Sequence, residues 1–259
     1  MRSINKTVDD MNINIKEFSS LQDVVSFIKN TPDTNWLRGS SRTRGDRKWA
    51  GTDTFEEALD LMKNGWTDKS KELEDKLNKK LNKEAAQVIR QKSVYDVVGG
   101  NCSVPRYLQG VPTSMIRQVR TPVKQKVVTV NYSIGFNANV TGQQITDWAV
   151  DCLSYVKHLE DTGVRVNLNV IWVSYKYSDY VSYLIPVKKS SERMSIAKMA
   201  FCLCNPAMLR RIGFALLEKD EVLPKLKFGE EFKWGYGKST ADKQILSKIY
   251  PDMEIYNAK

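Results

Sequence analysis

KVVTVNYSIGFNANVTGQQITDWAVDCLSYVKHLEDTGVRVNLNVIWVSYKY, residues 126–177, is the stretch that decides the fold. Val127, Val128, Thr129 and Val130 form a β-branched run of the kind buried in a sheet. Small polar residues follow from Asn131 to Asn139. Thr141 and Gln144 have the spacing of a capping box. Behind them Ile145, Trp148, Ala149, Cys152, Leu153, Val156 and Leu159 recur at helical period. Gly163 suits a left-handed helix end. Val164 to Val173 then alternates before turning continuously apolar, as a second strand would. Two strands joined by one helix predict a crossover between parallel neighbours. The fold class expected is therefore α/β: a central, mostly parallel sheet with flanking helices, Rossmann-like in its layering, plus a helical N-terminal region.

In parallel sheets, ligands bind in the loops that follow the strands. Here that loop is Asn131 to Val140. It holds amides and hydroxyls but no carboxylate, histidine or lysine, so it offers recognition and little catalysis.

Working outward, Ser20 with Asp23 caps a short helix carrying Leu21, Val24, Val25 and Ile28, and residues 1–19 read as loose. Thr54 with Glu57 opens another, with Phe55, Ala58, Leu59 and Met62 on its apolar face. Residues 67–92 read as a half-exposed helix laced with i,i+4 ion pairs. Residues 95–112, rich in glycine and proline, read as an ordered loop. Its Gly99-Gly100 lacks the strand-to-helix setting of a phosphate loop. Residues 181–187 read as a strand, and two helices follow, the second opened by Asn205-Pro206. The chain divides into a basic N-terminal region packed on the core (1–125), an α/β core (126–218) and an aromatic, basic tail (219–259).

The segment from Trp36 to Trp49 carries the clearest local chemistry. Arg38, Arg42, Arg44, Arg47 and Lys48 fall within eleven residues beside a single acid, Asp46. Arginines grip phosphate through paired donors, and an indole can stack on a base. Arg38, Arg42, Arg44, Arg47, Lys48 and Trp49 are the candidate nucleic-acid contacts. Arg210 and Arg211 flank an apolar helical stripe and read as a solvated pair. The tail adds Phe228, Phe232, Trp234 and Tyr236 among lysines. Gly237-Lys238-Ser239-Thr240 looks like the end of a phosphate loop, but Phe232 stands where the first glycine belongs, which excludes nucleotide hydrolysis there.

Composition narrows the classes further. The 259 residues are 41% hydrophobic, with 40 Lys+Arg against 30 Asp+Glu, a net charge of +10 and one histidine. No apolar run reaches membrane-spanning length, and the N-terminus lacks a signal-peptide core, so no membrane contact and a cytoplasmic location are expected. Four scattered cysteines are no disulfide framework, and Cys202 and Cys204, one residue apart in an apolar helical pattern, read as buried thiols. No metal and no cofactor is expected.

Three phrases carry a resemblance. They are Trp49-Ala50-Gly51-Thr52 leading into Phe55-Glu56-Glu57-Ala58 and Gly65-Trp66; Tyr95-Asp96 with Ser103-Val104-Pro105 and Gly110-Val111-Pro112-Thr113-Ser114-Met115; and Asn205-Pro206-Ala207-Met208-Leu209-Arg210-Arg211 with Phe214-Ala215. Together, over residues 36–217, they resemble an uncharacterised family of tailed bacteriophages and mobile elements. That implies a viral product acting in the bacterial host cytoplasm or packaged in a virion, and it brings no catalytic residue. Residues 126–217 are also similar to the von Willebrand factor A fold, whose strand ends in Asp-x-Ser-x-Ser before a long helix. The matching positions are Asn131, Ser133 and Gly135. Without the aspartate a hard cation loses its anionic ligand, so the resemblance implies that fold without its metal, with Asn131 and Ser133 as a candidate loop ligand site.

No nucleophile–base pair, carboxylate pair or metal set emerges. The function expected is a non-catalytic, phage-encoded nucleic-acid-binding protein, in replication or genome handling. The alternative is a virion or host-interaction protein that binds a protein partner. An enzyme with an unrecognised site is a third reading.

Overall fold

Val166, Leu168, Val170 and Trp172 point to one side of their strand, Ile171 and Val173 to the other, and all six are buried. A strand apolar on both sides belongs in the middle of a covered sheet. In the computed structural model that strand, β7 (Arg165–Lys176), is central to a sheet of seven. The structure describes residues 1–34, 42–81, 92–119, 126–136, 139–220, 236 and 238–256.

Along the sheet run β1 (Arg2–Val8), β2 (Met11–Glu17), β8 (Asp179–Lys188), β7, β6 (Val127–Ser133) and β10 (Glu254–Tyr256), with β9 (Lys238–Ser239) pairing the end of β7. β6 and β7 are parallel neighbours, Val127 opposite Arg165 and Ser133 opposite Ile171. Between them runs α6 (Gly142–Asp161). Its capping box is complete: Thr141 Oγ1 accepts from Gln144 N at 3.3 Å, and Gln144 Oε1 accepts from Thr141 N at 3.0 Å.

The expectation of a mostly parallel, Rossmann-like or von Willebrand-like sheet is wrong. A second sheet, β3 (Lys92–Asp96), β5 (Met115–Val119) and β4 (Asn101–Cys102), is wholly antiparallel. Counting both sheets, five of the eight strand pairings are antiparallel. The physical reason lies at Tyr177-Ser178. A two-residue turn, with Tyr177 at φ 52°, can only return the chain antiparallel, so β7 and β8 form a hairpin.

The expectation of a helical N-terminal region also fails. Residues 2–17 form a hairpin turning at Asp9 (φ 51°), and β2 pairs with β8. Its alternation of Ile13 and Ile15 with polar residues is a strand pattern, diluted by asparagines and lysines that disguise it. The seven-stranded sheet draws on all three segments delimited from the sequence, and helices occur throughout.

Two layers cover the sheet. One face packs under α1 (Leu21–Asn30), α3 (Phe55–Asn64), α4 (Thr67–Leu81), α6, α7 (Ile196–Cys204), and a π-helical turn, Met208–Gly213, running into α8 (Phe214–Glu218). The other face is covered by α9 (Lys243–Ile249), through Leu246, Ile249 and the following Tyr250. Two short helices complete the set, α2 (Arg47–Ala50) and α5 (Val104–Leu108). Among the described residues no single helix is long and apolar enough to cross a membrane.

Candidate functional site

The basic segment is partly consumed by the fold. Arg38 lies outside the described residues. Arg42 grips Asp33 through two bonds of 2.8 Å and reaches Glu218 at 2.5 Å. That guanidinium holds the Asp33 carboxyl down at about 2. Arg47 bonds Asp53 at 2.7 Å and Glu57 at 2.8 Å. Arg44 and Lys48 are exposed and, among the described residues, make no ion pair. Trp49 is half-buried, held by Asp46, whose Oδ1 accepts from Trp49 N at 2.9 Å.

What fixes Trp49 comes from far along the chain. Gly51 turns with φ +87°, and a β-carbon there would sit 2.1 Å from Asn205 Oδ1 and 2.9 Å from Ala207 N. Only glycine allows that approach. Asn205 Oδ1 in turn accepts from Ala207 N at 2.9 Å. Arg211, expected in solvent, is fully buried. It donates to Thr52 Oγ1 (2.8 Å), Thr52 O (2.7 Å), Arg42 O (2.6 Å) and Asp53 O (3.1 Å). Arg210 is buried too, donates to Trp49 O and lies 4.9 Å over the Trp49 ring. Burial lowers the proton affinity of both guanidiniums. The π-helical turn sets these two arginines side by side against residues 42–53. Such turns recur at functional sites.

Beside this clamp opens a cleft of about 410 Å³. Its aromatic wall is Trp49, Phe136, Trp172, Tyr175, Phe214 and Tyr236. Phe214 and Tyr236 stack at 4.1 Å and 10°; Trp172 and Trp49 lie 6.2 and 6.4 Å from Phe214. Trp172 Nε1 donates to Ser239 Oγ at 2.8 Å. Tyr236 is fixed through its hydroxyl on Glu218, the carboxylate that also holds Arg42. Arg210 and Lys238 bring positive charge to the lining, and Lys238 is exposed. Among the described residues no carboxylate, histidine or thiol lines it. Rings with adjacent cations suit a flat, anionic ligand.

Asn131 and Ser133 lie elsewhere. The strand runs through Ser133, so both are inside the sheet and not on a loop. Asn131 Oδ1 accepts from Asn169 Nδ2 at 2.9 Å, and Ser133 Oγ accepts from Gly135 N at 3.4 Å. Of the tail, residues 221–235 lie outside the described residues, and Lys238-Ser239 is the short strand on β7. Among the described residues no cluster of His, Cys, Asp or Glu could hold a metal. Cys152, Cys202 and Cys204 are buried, and burial pushes the last two thiols up to about 12.

Of the residues that line the cleft, sequence reasoning proposed Trp49 as a contact and did not single out Trp172, Tyr175 or Phe214. Trp172 and Phe214 sit within apolar runs, where an aromatic reads as core. The usable signal was density: tryptophan, phenylalanine and tyrosine cluster near the ends of strands and helices that meet only in the fold.

No curated protein and no solved structure matches the chain. The clamp ties Arg42–Asp53 to Asn205–Arg211, and β1 and β10 close opposite edges of one sheet, so the architecture needs nearly the whole chain. In keeping with that, the family model described as Domain of unknown function (DUF7192) matches residues 3–257, and the chain belongs to that family.

Proposed function

We propose that this protein is a non-catalytic nucleic-acid-binding protein that stacks bases of a single strand in the aromatic cleft. Arg44, Lys48 and Lys238 take the neighbouring phosphates. The observation that carries the reading is the cleft lining itself: among the described residues, six aromatic side chains beside two cations, with no acid among them. Aromatic stacking beside a cationic track is how single strands are held without sequence preference. The +10 net charge adds long-range attraction for a polyanion. The sequence resemblance supports a phage-encoded protein working in replication or genome handling. Fluorescence anisotropy of a labelled oligothymidylate tests it. Binding that weakens steeply with salt, and roughly tenfold on Trp49→Ala, is expected; salt-independent binding, or none, overturns it.

A second reading rests on the three-stranded sheet. Of the ten exposed large apolar side chains among the described residues, seven lie between Val94 and Leu108. Concentrated exposure of this kind favours a protein partner, in a virion or in the host. Tyr107→Ser with Leu108→Ser should abolish such an association and leave oligonucleotide binding intact.

A further inference from the structure

We infer a second anion site, at the end of the sheet away from the aromatic cleft, that takes a small phosphorylated ligand. A concavity of about 400 Å³ lies where the end of β8 meets the starts of α1 and α7. Lys63, Lys189, Arg193 and Lys198 stand around it, drawn from the end of α3 and from residues 189–198. All four are exposed, and none has an ion-pair partner among the described residues. Elsewhere in the fold cations are commonly neutralised: Arg42, Arg47, Lys76, Lys219 and Lys248 each face a carboxylate. Among the described residues the single carboxylate in the lining, Glu192, is turned onto the backbone, accepting from Lys189 N at 3.3 Å.

Beneath these four, Lys188 forms a fixed, buried floor whose charge is already balanced, its ammonium 2.5 Å from Glu160 and donating to Val166 O and Lys189 O at 3.1 and 3.2 Å. One further feature fits an anion. Ser195, at the N-cap of the nine-residue α7, makes no capping bond with its side chain, so its hydroxyl and the first helical N–H groups remain available as donors. Four like charges converging on one concavity repel each other until an anion enters. Leu21, Pro186, Val187 and Met199 supply an apolar side to the same space. The site therefore fits a phosphate carrying a small organic group. The volume is in the range of small-molecule sites.

Isothermal titration calorimetry with pyrophosphate and with ribose 5-phosphate tests this on the full chain. Neither probe carries a base or other aromatic ring to stack in the aromatic cleft. Saturable binding of either probe is expected, weakened at least about tenfold in Lys189→Ser with Lys198→Ser. Both positions are exposed, so the variant should keep its native circular dichroism and its oligonucleotide affinity. Absence of saturable binding of both probes, or unchanged affinity in the variant, overturns the inference without touching the aromatic cleft.

Discussion

Arg211 Nε donates at 2.8 Å to Thr52 Oγ1, 159 positions away in the chain, and the same guanidinium bonds the carbonyls of Arg42, Thr52 and Asp53. One buried side chain thus organises the turn that presents Trp49. Arg211→Met would leave several buried acceptors unsatisfied. A loss of about 3–4 kcal/mol in urea unfolding is expected. Arg211→Lys keeps the charge without the planar fork and should recover only part of it.

Gly51→Ala tests the docking of residues 49–52 on Asn205. The substitution combines a left-handed φ with a 2.1 Å clash. The expected cost is about 2–4 kcal/mol. Oligonucleotide affinity should fall too, because Trp49 would shift; a variant that unfolds at the native urea midpoint contradicts the clamp.

Asp33 supplies a pH signature. Its carboxyl falls from 3.8 to about 2, first through its bond to Arg42. A depressed folded-state value means stabilisation that is complete above the unfolded value and lost as pH falls through the folded one. The stability difference between the native chain and Asp33→Asn should therefore be constant above about pH 5 and shrink between pH 4 and 2. Solvent exposure of Asp33 keeps the effect small.

The three proposed phosphate contacts can be separated from stacking by salt. Arg44→Ala, Lys48→Ala and Lys238→Ala together should flatten the slope of log affinity against log salt by about 2 for a single strand. Trp49→Ala should weaken binding at every salt concentration and leave that slope unchanged.

Local structure was readable where one physical rule dominated. Thr141-x-x-Gln144 and the stripe from Ile145 to Leu159 announced α6, and the apolar runs on either side announced β6 and β7. The parallel direction of β6 and β7 was readable too; that of β8 was not, because it depends on Tyr177-Ser178 adopting a tight turn without the glycine that usually marks one. The N-terminal hairpin was hidden by polar residues that tertiary partners bury, such as Asn14, bonded to Ser3 and Asn5, and Lys16, paired with Asp220. Arg210 and Arg211 looked like surface because arginine is usually solvated, and their acceptors are backbone carbonyls that composition cannot reveal. The cleft was legible at one residue, Trp49, since its other walls come from β7, α8 and the C-terminal segment.

Ultraviolet crosslinking of bound oligothymidylate, followed by peptide mapping, tests the central claim most directly. Crosslinks at Trp49, Phe214 or Tyr236, reduced by competing unlabelled strand, are the predicted result. Crosslinks confined to other parts of the chain, or none at saturating protein, would contradict base stacking in the cleft.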